Sequence, residues 1–162
     1  MKHWLLVSLL ALAPLAHAAD APADKAPHGN LPYDEQADAQ AQVKQALAAG
    51  RRAHKPTLLV FGANWCGDCR ALDAALHTEK NAALVARHFE VVKIDVGNFD
   101  RNLALDTAYG HPIQKGIPAA VVVSPEGKVV YATKAGELAN ARRMSDAGIY
   151  DFFSRVAGGE AP

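Results

Sequence analysis

The sequence predicts an α/β fold in which a central mixed β-sheet is flanked by helices. A buried strand, a helical segment and a second strand follow one another between Thr57 and Val96, which is the order of a parallel βαβ unit. Two later strands around a Pro- and Gly-containing turn predict an antiparallel hairpin. A last segment with its apolar residues on one stripe predicts a C-terminal helix. Parallel and antiparallel strand pairs are therefore expected in one sheet.

The composition is typical of one globular domain. The chain has 162 residues, of which 50% are hydrophobic and 21% charged, and 17 Lys and Arg residues balance 17 Asp and Glu residues. A chain of this length buries about 70% of its unfolded surface, so its cysteines are available for chemistry rather than needed as a structural staple. Because there is no net charge and no run of Lys or Arg, neither nucleic acids nor acidic membrane surfaces are expected partners.

The N-terminus has the pattern of a secretory signal peptide over residues 1–18. Met1-Lys2-His3 is positively charged, Trp4 to Ala13 is an apolar run, and Ala16-His17-Ala18 matches a small-residue cleavage site. The apolar run is shorter than the roughly 20 residues of a membrane-spanning helix, and no cysteine follows it to carry a lipid. We therefore expect no permanent membrane anchor, and a mature protein that works in an oxidising compartment outside the cytoplasm.

Residues 19–33 form an Ala- and Pro-rich leader for which we expect no regular structure, and the folded domain is expected over residues 34–160. Asp34 is the predicted cap of a first helix that runs to about Ala49 and stops at Gly50. Thr57 to Phe61 is a short apolar run typical of a buried strand. Helical spacing then returns before a second strand, Glu90 to Val96; the spaced residues are Cys69, Leu72, Leu76, Val85 and Phe89.

The segment from Gly97 to Gly116 has the weakest pattern. Asn98 and Asp100 are alternative caps for a short helix through Ala108, and the remainder is expected to be an exposed loop.

The C-terminal third has clearer strand, turn and helix patterns. Ala119 to Val123 and Lys128 to Ala132 flank a sequence that suits a type I turn, which predicts the hairpin. Ser145 or Asp146 begins the last helix, whose buried stripe is predicted to contain Ile149, Phe152, Phe153 and Val156.

The residues that carry chemistry lie in Trp65-Cys66-Gly67-Asp68-Cys69. The pair of cysteines falls between a buried strand and the start of a helix, where unpaired backbone N–H groups and the helix dipole favour an anionic sulfur. Cys66 is therefore predicted to be the nucleophile. Cys69, one helical turn further on and more buried, is placed to attack a mixed disulfide on Cys66 and release the product.

Other uses of a C-x-x-C pair fit the sequence less well. A zinc ribbon needs a second such pair or two closely spaced histidines, and the chain has neither. A c-type haem site needs His directly after the second cysteine, where this chain has Arg70. A purely structural disulfide across one helical turn would restrict the unfolded chain very little.

The chain resembles the thioredoxin superfamily, and within it the periplasmic thioredoxin-like proteins of bacteria. The resemblance is carried by the run from Phe61 to Arg70 after a strand, and by Gly116-Ile117-Pro118-Ala119 before another, with Gly127 in the hairpin and Gly136 after it. It covers roughly Asp34 to Val156. It implies a thioredoxin fold, a thiol–disulfide oxidoreductase activity, and a redox-active Cys66–Cys69 disulfide in place of any external cofactor or metal.

The resemblance also implies roles for the residues around the cysteines. Pro118 is expected to be a cis-proline that faces the disulfide, and Ile117 to offer its backbone to an extended substrate segment. Trp65 is expected to form an aromatic wall beside the cysteines. Gly67 and Asp68 lie between the two sulfurs and are expected to modulate their reactivity.

The chain departs from the family pattern at two places. Thioredoxins usually carry a buried Asp six residues before the first cysteine, where this chain has Val60, and the Lys that pairs with that Asp is replaced by Val91. The proton acceptor for Cys69 is then water, Asp68, or a group that the sequence does not identify. The connection from Asp95 to Pro118 is longer than usual and is expected to influence the choice of partner.

Two functions from different classes remain open at this point. The first is thiol–disulfide exchange with exported proteins, and the second is a periplasmic copper chaperone that binds Cu(I) through Cys66, Cys69 and His111. The Trp-Cys-Gly context favours the enzyme. An ionised Asp68 would repel a thiolate on Cys66 and lower the reduction potential, so we predict a reductase that is recharged by a membrane thiol-electron carrier.

Overall fold

The computed structural model describes residues 31–160 and residue 162. The predicted signal peptide and most of the predicted leader lie outside the described residues. At Tyr33 the expectation of an unstructured leader does not hold, because this side chain is only 4% exposed and belongs to the hydrophobic core. The ordered part of the chain therefore includes the residue just before the predicted domain boundary.

The first helix, α1, spans Ala39–Ala53. Its cap is Asp38, whose carboxylate accepts a hydrogen bond from the Ala41 N–H at 3.0 Å. The prediction that Asp34 caps this helix was therefore wrong by four residues, because a turn over residues 35–37 separates Asp34 from the helix.

Gly50 does not stop α1, as the sequence had suggested, but is buried inside it. A Cβ atom on Gly50 would lie 2.6 Å from the Lys55 carbonyl oxygen and 2.8 Å from Thr57 Oγ1. The glycine is thus required by the close return of the chain into the first strand, and the helix ends at His54, which adopts the left-handed conformation.

The four strands form one mixed sheet with the order β2-β1-β3-β4. Strand β1 (Thr57–Gly62) pairs in parallel with β2 (Glu90–Asp95) and antiparallel with β3 (Ala119–Val123), which pairs antiparallel with β4 (Val129–Ala132). The predicted βαβ unit, the hairpin and the mixed α/β sheet are confirmed.

The remaining helices follow the strands closely. They are α2 (Gly67–Leu76), α3 (Glu79–His88), α4 (Leu103–Ala108) and α5 (Asp146–Ala157). Ser145 caps α5 by accepting the Gly148 N–H at 3.1 Å, and all four predicted stripe residues of this helix are buried.

The weakly patterned segment after β2 differs from its prediction. Neither Asn98 nor Asp100 caps α4, which begins only after Asn102. Phe99 and Asn102 are both left-handed, and such turns are hard to anticipate at residues other than glycine. The second half of the segment is not fully exposed, because a short 3₁₀ helix (Pro112–Lys115) buries its first two residues.

The sheet is covered on both faces, and alternate residues of β1 point to different layers. Leu58 and Val60 belong to the cluster that contains Phe153 of α5, whereas Leu59 and Phe61 belong to the cluster that contains Tyr33 and α1. Within residues 31–160, no helix combines the length and apolar character required to cross a bilayer.

The sheet topology determines where the residues of the candidate site meet. Gly62, the last residue of β1, is in register with Asp95, the last residue of β2, and Phe61 is in register with Ala119, the first residue of β3. Because β3 runs antiparallel to β1, it begins at the edge where β1 and β2 end. The segment that follows Gly62 and the segment that precedes Ala119 are therefore brought to the same edge of the sheet.

Candidate active site

Cys66 is the N-cap of α2 and lies where the sequence predicted it. Its Sγ accepts a hydrogen bond from the Cys69 N–H at 3.1 Å, so one free donor of the helix N-terminus points at this sulfur. The two cysteines form a disulfide, with their Cα atoms 5.2 Å apart. Cys66 is 6% exposed and Cys69 1% exposed, so Cys69 is the more buried sulfur, as predicted.

The loop before β3 approaches the disulfide from the other side. The Ile117–Pro118 peptide bond is cis, and the carbonyl oxygen of Ile117 lies 3.6 Å from Cys66 Sγ. The backbone of Ile117 is thus the polar group of this loop that is in contact with the first sulfur. The side chain of Ile117 is itself buried.

Trp65 lies at the rim of the site and is 54% exposed. Its indole N–H donates to the Gly97 carbonyl oxygen at 2.8 Å, and its ring packs edge to face on Phe99 with the centroids 6.0 Å apart. Phe99 is also exposed, and sequence reasoning missed it. The exposed aromatic surface at the residue before Cys66 is therefore a pair of rings rather than one.

Asp68 is held by a residue that lies 74 positions further along the chain. Its carboxylate accepts hydrogen bonds from the Arg142 backbone N–H at 2.9 Å and from the Arg142 guanidinium at 3.1 Å. The guanidinium also lies against Gly67, where an added Cβ would come within 3.3 Å of it. The hydrogen bond from Arg142 lowers the pKa of Asp68 below its ordinary value, against a smaller opposing effect of burial.

This pairing corrects the electrostatic argument made from the sequence. The lowered pKa favours the ionised form of Asp68, but a cation bound directly to its carboxylate offsets part of the field that it exerts on Cys66. Both partners are partly exposed, which weakens the remaining field further. Asp68 is also a poor candidate for the proton acceptor of Cys69, because both of its oxygens already accept hydrogen bonds and its pKa is lowered.

The structure brings a group to Cys69 that the sequence analysis did not identify. A Cβ atom on Gly62 would overlap the hydroxyl oxygen of Tyr33 and would lie 2.9 Å from Cys69 Sγ. The tyrosine hydroxyl and the second sulfur therefore flank the same glycine. The only sequence signal is Gly62 itself, a glycine at the end of a buried strand, which often indicates a close approach of another group.

Tyr33 is fixed in this place by Asn64. The Tyr33 N–H donates to Asn64 Oδ1 at 3.0 Å, and Asn64 Nδ2 donates to the Tyr33 carbonyl oxygen at 2.9 Å. Asn64 Nδ2 also contacts Glu35 Oε1 at 2.9 Å, and Arg70 donates to the Asn64 carbonyl oxygen at 2.6 Å. The residue two positions before Cys66 thus ties the start of the folded chain to the cysteine motif.

The two departures from the thioredoxin pattern are seen in the sheet. Val60 is 2% exposed and packed in the core, while Val91 is 38% exposed and has no part in the site. Lys93, the partner of Val60 in the strand register, forms an ion pair with Asp73 of α2.

His111 does not join the cysteines in a visible metal site. Its Nδ1 lies 2.9 Å from a carboxylate oxygen of Asp106, and its side chain is otherwise largely exposed. Among residues 31–160, no three His, Cys, Asp or Glu side chains come together in a way that would hold a metal ion. The copper alternative therefore finds no third ligand in the described part of the chain.

Comparisons with known proteins agree with this geometry. The family model described as thioredoxin-like matches residues 38–125. The crystal structure of a disulphide isomerase from Xylella fastidiosa Temecula1 is 74% identical, covers 80% of this chain and 98% of its own, and superposes with a TM-score of 0.79. A thioredoxin from Thermus thermophilus shares the fold at 17% identity, with 70% of this chain and 82% of its own covered and a TM-score of 0.53.

No curated protein sequence matches the chain. The family model nevertheless covers more than half of the chain, and the Xylella structure is similar over nearly its whole length. The disulfide at the N-terminus of α2 is the redox centre that this fold uses. The chain therefore belongs to the thioredoxin-like family and is a thiol–disulfide oxidoreductase whose reactive group is the Cys66–Cys69 disulfide.

Proposed function

We propose that the protein reduces disulfide bonds of exported proteins, with Cys66 as the nucleophile and Cys69 as the resolving thiol. The observation that carries the assignment is the asymmetry of the two sulfurs. Cys66 caps α2 and receives a backbone N–H, whereas Cys69 lies inside the helix and is almost completely buried. A substrate disulfide can reach only the first sulfur without opening the fold.

The reaction then proceeds in two exchanges. The Cys66 thiolate attacks one sulfur of the substrate disulfide, a mixed disulfide forms, and the other substrate sulfur leaves as a thiolate that takes up a proton. Cys69 loses its proton and attacks Cys66, so the Cys66–Cys69 bond forms and the second substrate thiol is released. Two electrons and two protons pass from the protein to the substrate.

The proposed substrate is an extended segment that carries the target cysteine. The backbone of Ile117, next to Cys66 Sγ, supports pairing with such a segment in the manner of an added strand. Pro118 follows directly, and Trp65, the residue before Cys66, provides an exposed apolar surface. Gly67 and Asp68 would modulate the reaction through the position and charge of Arg142.

The groups that contact Cys66 support electron flow from the protein to its substrate. The Cys69 N–H at 3.1 Å stabilises a thiolate, whereas the Ile117 carbonyl oxygen at 3.6 Å accepts a hydrogen bond from a thiol and repels a thiolate. Because these effects oppose each other, the Cys66 thiolate is not strongly stabilised, which favours a low reduction potential. The carbonyl contact at Cys66, rather than repulsion by Asp68, is the basis of the proposed direction.

The place of action follows from the sequence pattern. With a signal peptide at 1–18 before the folded domain, the protein would work in the periplasm. A reductase there needs a supply of electrons, because the compartment otherwise keeps its cysteines paired. The proposed partner that supplies these electrons is a membrane thiol-electron carrier. The proposed substrates are thiols and disulfides of exported proteins.

Equilibration with a thiol–disulfide buffer tests the proposed direction. A potential near about −270 mV, at the reducing end of the range for such proteins, supports a reductase, whereas one near about −120 mV shows an oxidase. In a separate experiment, the Cys69→Ser variant should accumulate mixed disulfides between Cys66 and its substrates. Cys66→Ser is the matched control and should trap none.

Isomerisation of disulfides is a second candidate, favoured by the 74% identity to the disulphide isomerase from Xylella fastidiosa. Rearrangement requires only one attacking thiol of the enzyme, because a thiol of the substrate itself can then displace Cys66 from the mixed disulfide. An isomerase of this kind should therefore retain much of its activity on a scrambled substrate in the Cys69→Ser variant. Loss of both rearrangement and net reduction in that variant would favour the reductase alone.

A further inference from the structure

Position 60, where thioredoxins usually carry a buried Asp, is occupied in this chain by Val60, which is packed in the core. The hydroxyl of Tyr33 approaches Cys69 instead, across the space that a side chain on Gly62 would fill. Tyr33 and Cys69 belong to the core cluster on the α1 side of the sheet, and Gly62 borders that cluster. The absence of a Cβ at residue 62 is therefore what allows a polar group to reach the resolving sulfur.

Tyr33 is held in this position by more than its ring. Both backbone polar groups of Tyr33 are bonded to the side chain of Asn64, and the residue is only 4% exposed. Its hydroxyl therefore has little freedom to turn away from the site. Because this hydroxyl and Cys69 Sγ both border the position that a Cβ on Gly62 would occupy, the hydroxyl is a donor held close to the reacting sulfur.

Tyr33 keeps its own proton at every pH at which the enzyme would work. Burial raises its pKa above the ordinary value, and the nearby carboxylates of Asp73 and Asp95 raise it further. It cannot act as the base that removes the proton of Cys69. It can act as a hydrogen-bond donor, and a donor next to a sulfur favours the thiolate over the thiol.

We propose that the Tyr33 hydroxyl donates a hydrogen bond to the Cys69 thiolate and so activates the resolving step. The inference rests on the proposed role of Cys69. In that step the Cys69 thiolate attacks Cys66 of the mixed disulfide, the Cys66–Cys69 bond forms, and the bond from Cys66 to the substrate breaks. The electron pair leaves on the substrate sulfur, which takes up from solvent the equivalent of the proton that Cys69 released.

Two carboxylates act on this donor. Asp73 of α2 is paired with Lys93 of β2, and Asp95 at the end of β2 is paired with Arg101. Because each carboxylate has a cation beside it, its field at the Tyr33 hydroxyl is partly offset. The hydroxyl of Tyr33 differs from them in having a proton to donate to the sulfur.

Replacing Tyr33 with Phe tests the proposal, because it removes the hydroxyl and retains the ring. The rate at which a preformed mixed disulfide on Cys66 is resolved should fall about tenfold, since a hydrogen bond to a charged group is lost. The pH profile of this rate should shift to higher pH by about one unit, because the pKa of Cys69 rises. The rate of the first attack by Cys66 should not change.

Tyr131→Phe is the matched control. The hydroxyl of Tyr131 is buried without a hydrogen-bond partner and belongs to the opposite face of the sheet. The Tyr131→Phe variant should leave the rate of the first attack, the rate of resolution and the pH profile unchanged. A Tyr33→Phe variant that resolves the mixed disulfide at the rate and pH profile of the unmodified protein would overturn the proposal, whereas failure of Cys66 to form any mixed disulfide would overturn the proposed function itself.

A second measurement does not depend on the folding of a variant. In the unmodified, reduced protein, the ¹³C resonance of the Tyr33 ring carbon that bears the hydroxyl should titrate together with the Cys69 Cβ resonance. The Tyr131 resonance should not respond to that titration. Absence of a common titration for Tyr33 and Cys69 would contradict the hydrogen bond.

Discussion

Replacing Asn64 with alanine should loosen the start of the folded chain from the cysteine motif. Asn64 satisfies both backbone polar groups of Tyr33, at 3.0 Å and 2.9 Å, and Tyr33 is 4% exposed. A buried polar group that loses its partner destabilises a protein by about 1 to 3 kcal/mol. Two such groups are affected, and local detachment of the segment lets water reach them, so we expect a loss of about 2 to 3 kcal/mol.

Urea unfolding gives the free energy, and amide hydrogen exchange at Tyr33 reports the local effect. Glu35→Ala is the matched control, because it removes only the third hydrogen bond of Asn64, to an exposed residue, and should change stability by less than about 0.5 kcal/mol. If Asn64→Ala were equally mild and the Tyr33 amide exchanged no faster than in the unmodified protein, the assignment of Asn64 as the clamp would be refuted.

Three further changes test other contacts. Gly50→Ala should lower the melting temperature although alanine favours helices, because its Cβ would lie 2.6 Å from a backbone oxygen; an increase would contradict the close approach. Arg142→Met should make the reduction potential more negative, since the charge of Asp68 would then act on the Cys66 thiolate without its counter-ion, whereas Arg143→Met should have a smaller effect. Asp95→Asn should stabilise the protein more at pH 7 than at pH 3.5, because burial raises the pKa of this carboxyl. The native state of the unmodified protein therefore loses stability as the pH rises through the raised pKa and the carboxyl ionises. A difference in unfolding free energy between variant and unmodified protein that does not grow with pH would contradict this.

Local patterns were sufficient to predict most of the framework. Strand β3 was predicted at its observed bounds because its five apolar residues are followed by a recognisable turn. The stripe of α5 and its Ser145 cap were likewise visible in the sequence. The position of Cys66 at a helix N-terminus followed from the change from a buried strand to helical spacing. Each of these features depends on residues that are close together in the chain.

The features that were missed depend on contacts between distant residues. Arg142 binds Asp68 across 74 positions, and Tyr33 binds Asn64 across 31. The Ala- and Pro-rich composition before Tyr33 predicts an unstructured leader, and nothing near this tyrosine indicates that it docks in the core. Gly50 and Gly62 are the sequence traces of close approaches, but a glycine does not reveal which group comes near.

The central claim is that Cys66 is the attacking thiol of a dithiol reductase, and competitive alkylation of the reduced protein tests it most directly. The protein is treated briefly with less than one equivalent of iodoacetamide, and the modified peptides are quantified. The structure predicts that Cys66, at the helix N-terminus, is modified first and that Cys69, at 1% exposure, is largely protected. Faster modification of Cys69 would contradict the assignment of the nucleophile.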